Sequence, residues 1–274
     1  MTKLDLACLN SATKYPSIPT HHTLDGRGGL LEEHIEFEGR VLLTEKINGV
    51  NARIILMPDG DWYIGSREEL LTARGDRVAP KTDGVVDALR PLAATLHGQS
   101  SDKALVFFLE VFGGTTSAAK QYSSERNVGA RLFDLAWVPM EVFGWERERI
   151  AFWREHGGQA WSTEYVLDRA AEVEGIELTP RLGMVEAGEL PGTVEDTYVW
   201  LNELLPKTRV ALDEGARGRA EGVVLRSDDR GTIAKARFED YERTLKRRED
   251  AARAQTKRAE SMAHRPASKP LSRG

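Results

Sequence analysis

Cysteine is almost missing from this chain: Cys8 stands alone among 274 residues. One thiol excludes an internal disulfide and a cysteine-based zinc cluster, and nothing points to an oxidising compartment. Long apolar runs are missing too. No stretch approaches the ~20 residues needed to span a bilayer, and the opening segment Met1–Ala7 lacks the apolar centre of a signal peptide. A cytoplasmic protein without membrane attachment is the expectation. No Gly-x-x-x-x-Gly-Lys-Ser/Thr stretch occurs, which excludes P-loop kinases and ATPases. What remains is an ordinary soluble composition, 41% hydrophobic and 30% charged, long enough for one large core.

The net charge of -5 conceals an asymmetry. Residues 241–274 hold ten Lys/Arg against four Asp/Glu, a local +6 that leaves -11 for residues 1–240. A basic end of this kind can follow a nucleic-acid backbone by neutralising phosphates, although a solvated terminal helix has the same composition. The expected division is a folded domain over 1–240 and a basic helix from 241 to about Met262, with a disordered tail to 274. No protein partner is evident.

Pro16, Pro19, the His21-His22 pair and several glycines make residues 11–30 loop-rich. The two histidines lack the spacing of a metal site, so a surface or substrate-facing role is expected for them. Gly39–Thr44, Ala52–Met57 and Asp61–Ser66 read as strands of an antiparallel meander, with Asn48-Gly49 as the turn of its first hairpin. A helix is expected over Asp83–His97, with Pro91 kinking it. Ala104–Val111 and Arg131–Trp137 read as strands and Gly113–Gly129 as a surface loop between them. Helical periodicity covers Glu146–Glu174 and Val194–Leu205, with Ser162 or Thr163 and Thr193 as N-caps. Residues 178–186, Glu221–Arg226 and Thr232–Arg237 complete the strands. Strands interleaved with helices but without a βαβ period predict an α+β fold of mostly antiparallel sheet.

Chemistry concentrates at strand ends. Lys46 leaves an apolar strand just before Asn48-Gly49, where a lysine can act as a nucleophile. Arg67 follows Gly65-Ser66. Glu110 lies inside the apolar run Phe107–Phe112, where an unpaired charge costs several kcal/mol, so it requires a partner. Glu221 opens Glu-Gly-Val-Val-Leu-Arg226, and Lys235 and Arg237 alternate on one face of the next strand, converging on something anionic.

In this order, Lys-x-x-Gly, Ser-Arg, Glu within a Phe/Leu strand, Phe133-Asp134, Glu-Gly-Val-Val and a spaced basic pair, the chain resembles the covalent nucleotidyltransferases. These are the ATP-dependent RNA and DNA ligases and mRNA capping enzymes. Glu45–Asn51 and the Lys14-Tyr15-Pro16-Ser17-Ile18 start make it most similar to the RNA ligase 2 group, over roughly residues 14–240. The resemblance implies an adenylation-domain fold with a nucleotide cleft between sheets. It also implies an RNA ligase that uses ATP and Mg²⁺ (or Mn²⁺), forms lysyl-AMP, and seals RNA 5′-phosphate and 3′-OH ends.

The same resemblance assigns roles. Lys46 is the adenylated nucleophile, Glu45 and Asn51 are nucleotide contacts, and Arg67 touches the ribose-phosphate side or the incoming 5′-phosphate. Glu110 holds the ribose, Phe133 stacks on adenine, Glu221 assists the metal, Lys235 with Arg237 clamps the α-phosphate, and Arg226 is a further basic contact. A free lysine has a pKa of about 10.4, so about one in two thousand is neutral at pH 7. Lys235, Arg237 and a divalent metal are expected to lower that pKa while stabilising phosphoryl charge.

Three departures stand out. Asn48 replaces the Asp of most members, Lys-Ala-Arg replaces Lys-x-Lys, and about forty residues after Lys235 leave no room for an OB-fold domain. The last favours an RNA ligase over a DNA ligase or guanylyltransferase. A non-catalytic end-binding protein and an enzyme that adenylates something other than a polynucleotide are the alternatives; the intact nucleophile opposes the first.

Overall fold

A computed structural model describes residues 4–73, 76–78, 84–96, 102–216 and 218–263. The chain begins with α1 (Leu6–Ala12) and a hairpin of β1 (His22–Leu24) and β2 (Leu30–His34). There follow β3 (Arg40–Lys46), β4 (Val50–Leu56), β5 (Trp62–Ser66), β6 (Leu70–Ala73) and β7 (Asp76–Arg77). Next come α2 (Val85–Ala93), β8 (Lys103–Gly113), the single-turn α3 (Ala119–Tyr122) and β9 (Val128–Pro139). Then α4 (Arg147–Glu155), β10 (Ala160–Trp161) and α5 (Glu164–Glu174) lead to β11 (Arg181–Glu186) and α6 (Val194–Leu204). β12 (Gly222–Ser227), β13 (Ile233–Arg237) and α7 (Phe238–Ala263) close the described fold.

Two antiparallel sheets carry the architecture, one of seven strands in the order β10-β9-β8-β4-β5-β6-β7 and one of four in the order β11-β3-β12-β13. The α+β class and mostly antiparallel pairing agree with the sequence. The expected first hairpin does not exist. β3 pairs with β11 and β12 in the small sheet, whereas β4 pairs with β5 and β8 in the large one. Ile47–Gly49 is therefore a crossing between sheets. Asn-Gly favours a tight turn locally, but β3 and β4 each find an apolar neighbour elsewhere, and burial decides the pairing.

β8 shows why its sequence is a continuous apolar run. Leu105, Phe107, Leu109 and Val111 join the core under α2 and α5, while Ala104, Val106 and Phe108 join a second core under α1 and α4. A central strand covered on both faces cannot alternate. Behind the small sheet, Val41, Leu43, Val223, Leu225, Ala234 and Ala236 pack with residues of α6 and α7. Tyr241 belongs to that core, so the expected boundary at 240 falls within α7, whose first turns are part of the folded body.

Thr163 and Thr193 cap α5 and α6 as expected, accepting from Val166 N and Asp196 N. The helical stretch over Glu146–Glu174 is broken by β10, and Gly113–Gly129 contains α3. Asp83 and His97, the ends of the first expected helix, lie outside the described residues, as does the tail beyond 263. Pro91 sits inside α2. Among the described residues no helix is long and apolar enough to cross a membrane.

The histidine pair is not on the surface. His21 and His22 are 2% and 0% exposed, and with His34 they form a triangle of rings with centroids 5.0, 5.4 and 5.4 Å apart. His22 Nδ1 meets the Tyr241 hydroxyl at 2.9 Å. Burial, with the neighbouring imidazoles, pushes His21 down to about 4. A neutral buried histidine supports the fold only while the unfolded chain is also neutral, so its contribution is present above the ordinary 6.5 and is lost as pH falls from there toward 4. Denaturant titrations at pH 7 and pH 4 should show wild type losing on the order of 3 kcal/mol more than His21→Leu, and equal losses would contradict the assignment.

Candidate active site

The cavity lies where the two sheets meet, with a volume of about 450 Å³. One wall is the small-sheet face carrying Thr44, Lys46, Val224 and Lys235; the other comes from Asn51 and Glu110 of the large sheet, with Phe133. Side chains alternate along β3, so Lys46 faces the cavity as Leu43 and Val41 face the core.

The crossing that carries Lys46 is fixed at three successive residues. Ile47 is buried among Phe112, Ala118, Tyr122 and Val210. Asn48 N donates to the Tyr122 hydroxyl at 2.6 Å, and Gly49 N donates to Glu110 Oε1 at 3.0 Å. A Cβ on Gly49 would come within 2.3 Å of the Val111 carbonyl, so only glycine allows this approach. The Asn-Gly pair thus serves a close passage instead of a turn.

Lys46 Nζ donates to Glu221 Oε2 at 2.6 Å. The backbone makes this contact nearly obligatory: Glu221 N donates to the Lys46 carbonyl at 3.0 Å, and Phe238 N donates to the Glu221 carbonyl at 3.0 Å. Lys46, Glu221 and Arg237 are therefore held together at one end of β3, β12 and β13. Cations were expected as the immediate company of Lys46, and a carboxylate takes that place. Lys235 is on the same face, and burial, then Arg237 and Lys46, lowers its pKa.

Glu110 finds the partner its burial requires in the backbone. Arg131, its register neighbour on β9, turns to Glu177. The Gly49 amide donates to Glu110. Burial pushes Glu110 up to about 7 against the opposing pull of Lys46, and Glu221 adds to the rise. Asn51 stands opposite Glu110 in register, and among the described residues its buried Oδ1 has no hydrogen-bond partner.

Phe133 is the extra residue of a β-bulge, since Asp134 pairs with Phe108 and Leu132 with Leu109. The bulge re-aims its ring to the cavity wall, edge-on to Tyr15 with centroids 5.1 Å apart. Arg67 is mostly exposed at the wall, and its Nη2 donates to Ser17 Oγ at 3.1 Å. Its loop is anchored from below by Arg53, 0% exposed, whose guanidinium donates to Thr13 Oγ1 at 3.1 Å, to Asn10 Oδ1 and to the Ser66 carbonyl.

Three expected contacts are placed differently. Glu45 contributes to the cavity wall, but its carboxylate points to the opposite face, accepting from Thr208 Oγ1 at 2.5 Å and Arg209 N at 2.8 Å. Strand alternation forces this once Lys46 faces inward. Arg226 reaches the wall but is already engaged: buried, it pairs with Glu164 and lies 3.9 Å from Asp134. Arg237 is not among the wall residues; Asp240 grips it, accepting from Nε at 2.7 Å and Nη2 at 3.0 Å.

Sequence reasoning missed the ion network under the far end of the cavity. Asp134, 1% exposed, accepts from the Tyr15 hydroxyl at 2.8 Å and from Arg230 Nε at 2.8 Å. Arg230 stacks 3.5 Å from the Trp161 ring centroid and holds a left-handed backbone (φ 60°) in the β12–β13 turn. That conformation costs a β-carbon residue roughly 1–2 kcal/mol, which the buried carboxylate offsets. Through it the tip of one sheet is tied to the other. The signal in the sequence was Phe133-Asp134, read only for its aromatic.

The RNA ligase family model matches residues 39–238. No curated protein matches the chain by sequence. Among solved structures the chain is similar to Naegleria gruberi RNA ligase: a mutant with ATP and Mn (13% identity, TM-score 0.50, 84% of this chain and 62% of that one), a mutant with AMP and Mn (14%, 0.50, 83% and 62%), and the protein with PPi (14%, 0.50, 86% and 64%). The chain thus spans somewhat under two thirds of those relatives' length, and at such identity the likeness is one of fold. A family match over most of the chain, running from the start of the Lys46 strand to the end of the Arg237 strand, establishes that this protein belongs to the RNA ligase family.

Proposed function

We propose that this chain is an ATP-dependent RNA ligase that seals a 5′-phosphate to a 3′-OH through lysyl-AMP on Lys46. The observation that carries this reading is the placement of Lys46 in the cavity wall, hydrogen-bonded to Glu221 at 2.6 Å, with Lys235 on the same face. A cavity of about 450 Å³ is of the size that takes a nucleotide. The complexes of the Naegleria enzyme with ATP and Mn, AMP and Mn, and PPi support the choice of nucleotide and metal.

Each residue then has a task. Phe133 offers a face to the adenine, and Glu110 with Asn51 meets the ribose, whose hydroxyls supply the donor that Asn51 Oδ1 needs. Lys46 Nζ attacks the α-phosphorus; the N–P bond forms as the α–β bridging P–O bond breaks and pyrophosphate leaves. The lysine proton moves along the existing hydrogen bond to Glu221. Lys235 faces the growing charge on the α-phosphoryl oxygens, with Arg237 behind Glu221 at 3.9 Å. AMP next passes from Lys46 to an RNA 5′-phosphate oxygen, with the N–P bond breaking. The 3′-OH then displaces AMP to close the phosphodiester. Arg67, exposed at the cavity wall, suits the incoming 5′-phosphate, and the exposed basic residues Arg253, Lys257 and Arg258 of α7 suit the RNA backbone.

A divalent metal fits in one way. Among the described residues no group of three His, Cys, Asp or Glu side chains is arranged to hold one. Glu221, with Glu110 near it, would share Mg²⁺ or Mn²⁺ with nucleotide phosphates and water, the ligand set such hard ions accept. When bound, the metal would neutralise phosphate charge during transfer.

Two tests follow. Incubated with α-labelled ATP or GTP and Mg²⁺ or Mn²⁺, the protein should carry label from ATP that stays on the denatured chain, and Lys46→Ala should carry none; an unlabelled wild type would reject the enzyme reading. Glu110 is raised from 4.5 to about 7 in the fold, so its contribution to stability is complete below pH 4.5 and is lost as pH rises through 7. Denaturant titrations at pH 5 and pH 8 should therefore show Glu110→Gln gaining on the order of 3 kcal/mol on wild type across that interval, whereas a flat difference would contradict a carboxyl whose proton affinity the fold raises.

A further inference from the structure

Arg237 is a cation whose direction is set by a residue outside the cavity. Asp240 is 1% exposed and sits in the first turn of α7. Its Oδ2 accepts from Arg237 Nε at 2.7 Å and its Oδ1 from Arg237 Nη2 at 3.0 Å, which engages one whole edge of the guanidinium. The end left over is Nη1, and it lies 3.9 Å from Glu221 Oε1, on the carboxylate whose other oxygen holds Lys46. The carboxylate of Asp240 is itself braced by Arg243 Nη2 at 2.5 Å, and Arg243 donates through Nε to the Gly28 carbonyl at 3.0 Å.

We propose that Asp240 is a positioning residue for nucleotidyl transfer, holding the Nε–Nη2 edge of Arg237 so that Nη1 is presented to Glu221 and the Lys46 centre. This rests on the RNA ligase reading above. A guanidinium has five donors in a fixed plane, and a bidentate carboxylate fixes that plane as a single contact cannot. The backbone adds to the constraint, because the Phe238 amide that follows Arg237 is bonded to the Glu221 carbonyl. The Arg237 plane is then determined at both ends. Asp240 touches neither nucleotide nor the reacting atoms; it acts through Arg237. A lysine at 237 would have no edge to grip, so the importance of Asp240 depends on the arginine.

The test measures single-turnover labelling of Lys46 by α-labelled ATP, with nucleotide KM and the melting temperature followed in parallel. Asp240→Asn, which removes the charge and half the fork, should slow labelling by about tenfold while KM changes about twofold or less, the pattern of an interaction that matters in the transition state. In the Arg237→Lys background, adding Asp240→Asn should change the rate no further. Arg243→Met, which removes the outer brace, should lower the melting temperature as Asp240→Asn does and leave labelling at the wild-type rate. Asp240→Glu, which keeps the charge and moves the fork, should fall between Asp240→Asn and wild type. Wild-type labelling rates in Asp240→Asn, an additive loss in the double variant, or an equal slowing by Arg243→Met would each overturn the proposal while leaving the ligase reading intact. A wild type that takes no label would instead bring down both.

Discussion

The site depends on one passage of backbone, the three residues that carry the chain from the small sheet to the large one. Ile47 is fixed by burial, Asn48 by a tyrosine hydroxyl and Gly49 by a carboxylate, so the lysine before them has a defined departure direction. Pre-organisation of this kind lowers the entropy cost of bringing a flexible amine into line with its target. It also explains why Glu110 sits in an apolar strand. Its oxygen is part of the passage, and the energetic penalty of its burial is balanced against the order it imposes.

The ion pairs divide into two groups with different tasks. Around Lys46 the charges are shared and under-compensated: Glu221 faces Lys46 on one oxygen and Arg237 on the other, and Lys235 has lost part of its affinity for a proton. Around Asp134 they are closed, with Arg230, Arg226 and the Tyr15 hydroxyl converging on one buried carboxylate. An open set leaves capacity for an anionic ligand. A closed set defines the relative placement of two sheets, and because its removal would strand a buried charge, it resists piecemeal loss.

Much of this was legible in the sequence, and the reasons are particular. The strands carrying Lys46, Glu110, Glu221 and Lys235 announce themselves by β-branched and aromatic runs, and spacing by two residues places Lys235 and Arg237 on one face. Pairing between strands was not legible. Asn48-Gly49 has the local chemistry of a hairpin, and nothing short-range reveals that β3 pairs with β12, almost two hundred residues away in sequence. The direction of Glu45 followed from alternation and could have been deduced. Asp134, Arg230 and Asp240 could not, because the meaning of each lies in a partner brought from another element or, for Asp240, in the helix that begins directly after the strand. The histidines were misread for a similar reason: proline and glycine neighbours suggested a loop, while α7 supplies the cover that buries them.

Alternate residues of β3 serve opposite masters: Lys46 looks into the cavity, and Glu45 fastens the Thr208–Arg209 segment behind the sheet. The strand is consequently phase-locked. Gain of one residue between Arg40 and Lys46 would present the Glu45 carboxylate where an ammonium now stands, and loss of one would turn Lys46 to the opposite face, either change undoing the charge of the site while scarcely altering the composition of the protein. The parity of the strand, together with the glycine passage that follows it, is a quantity that must be kept intact.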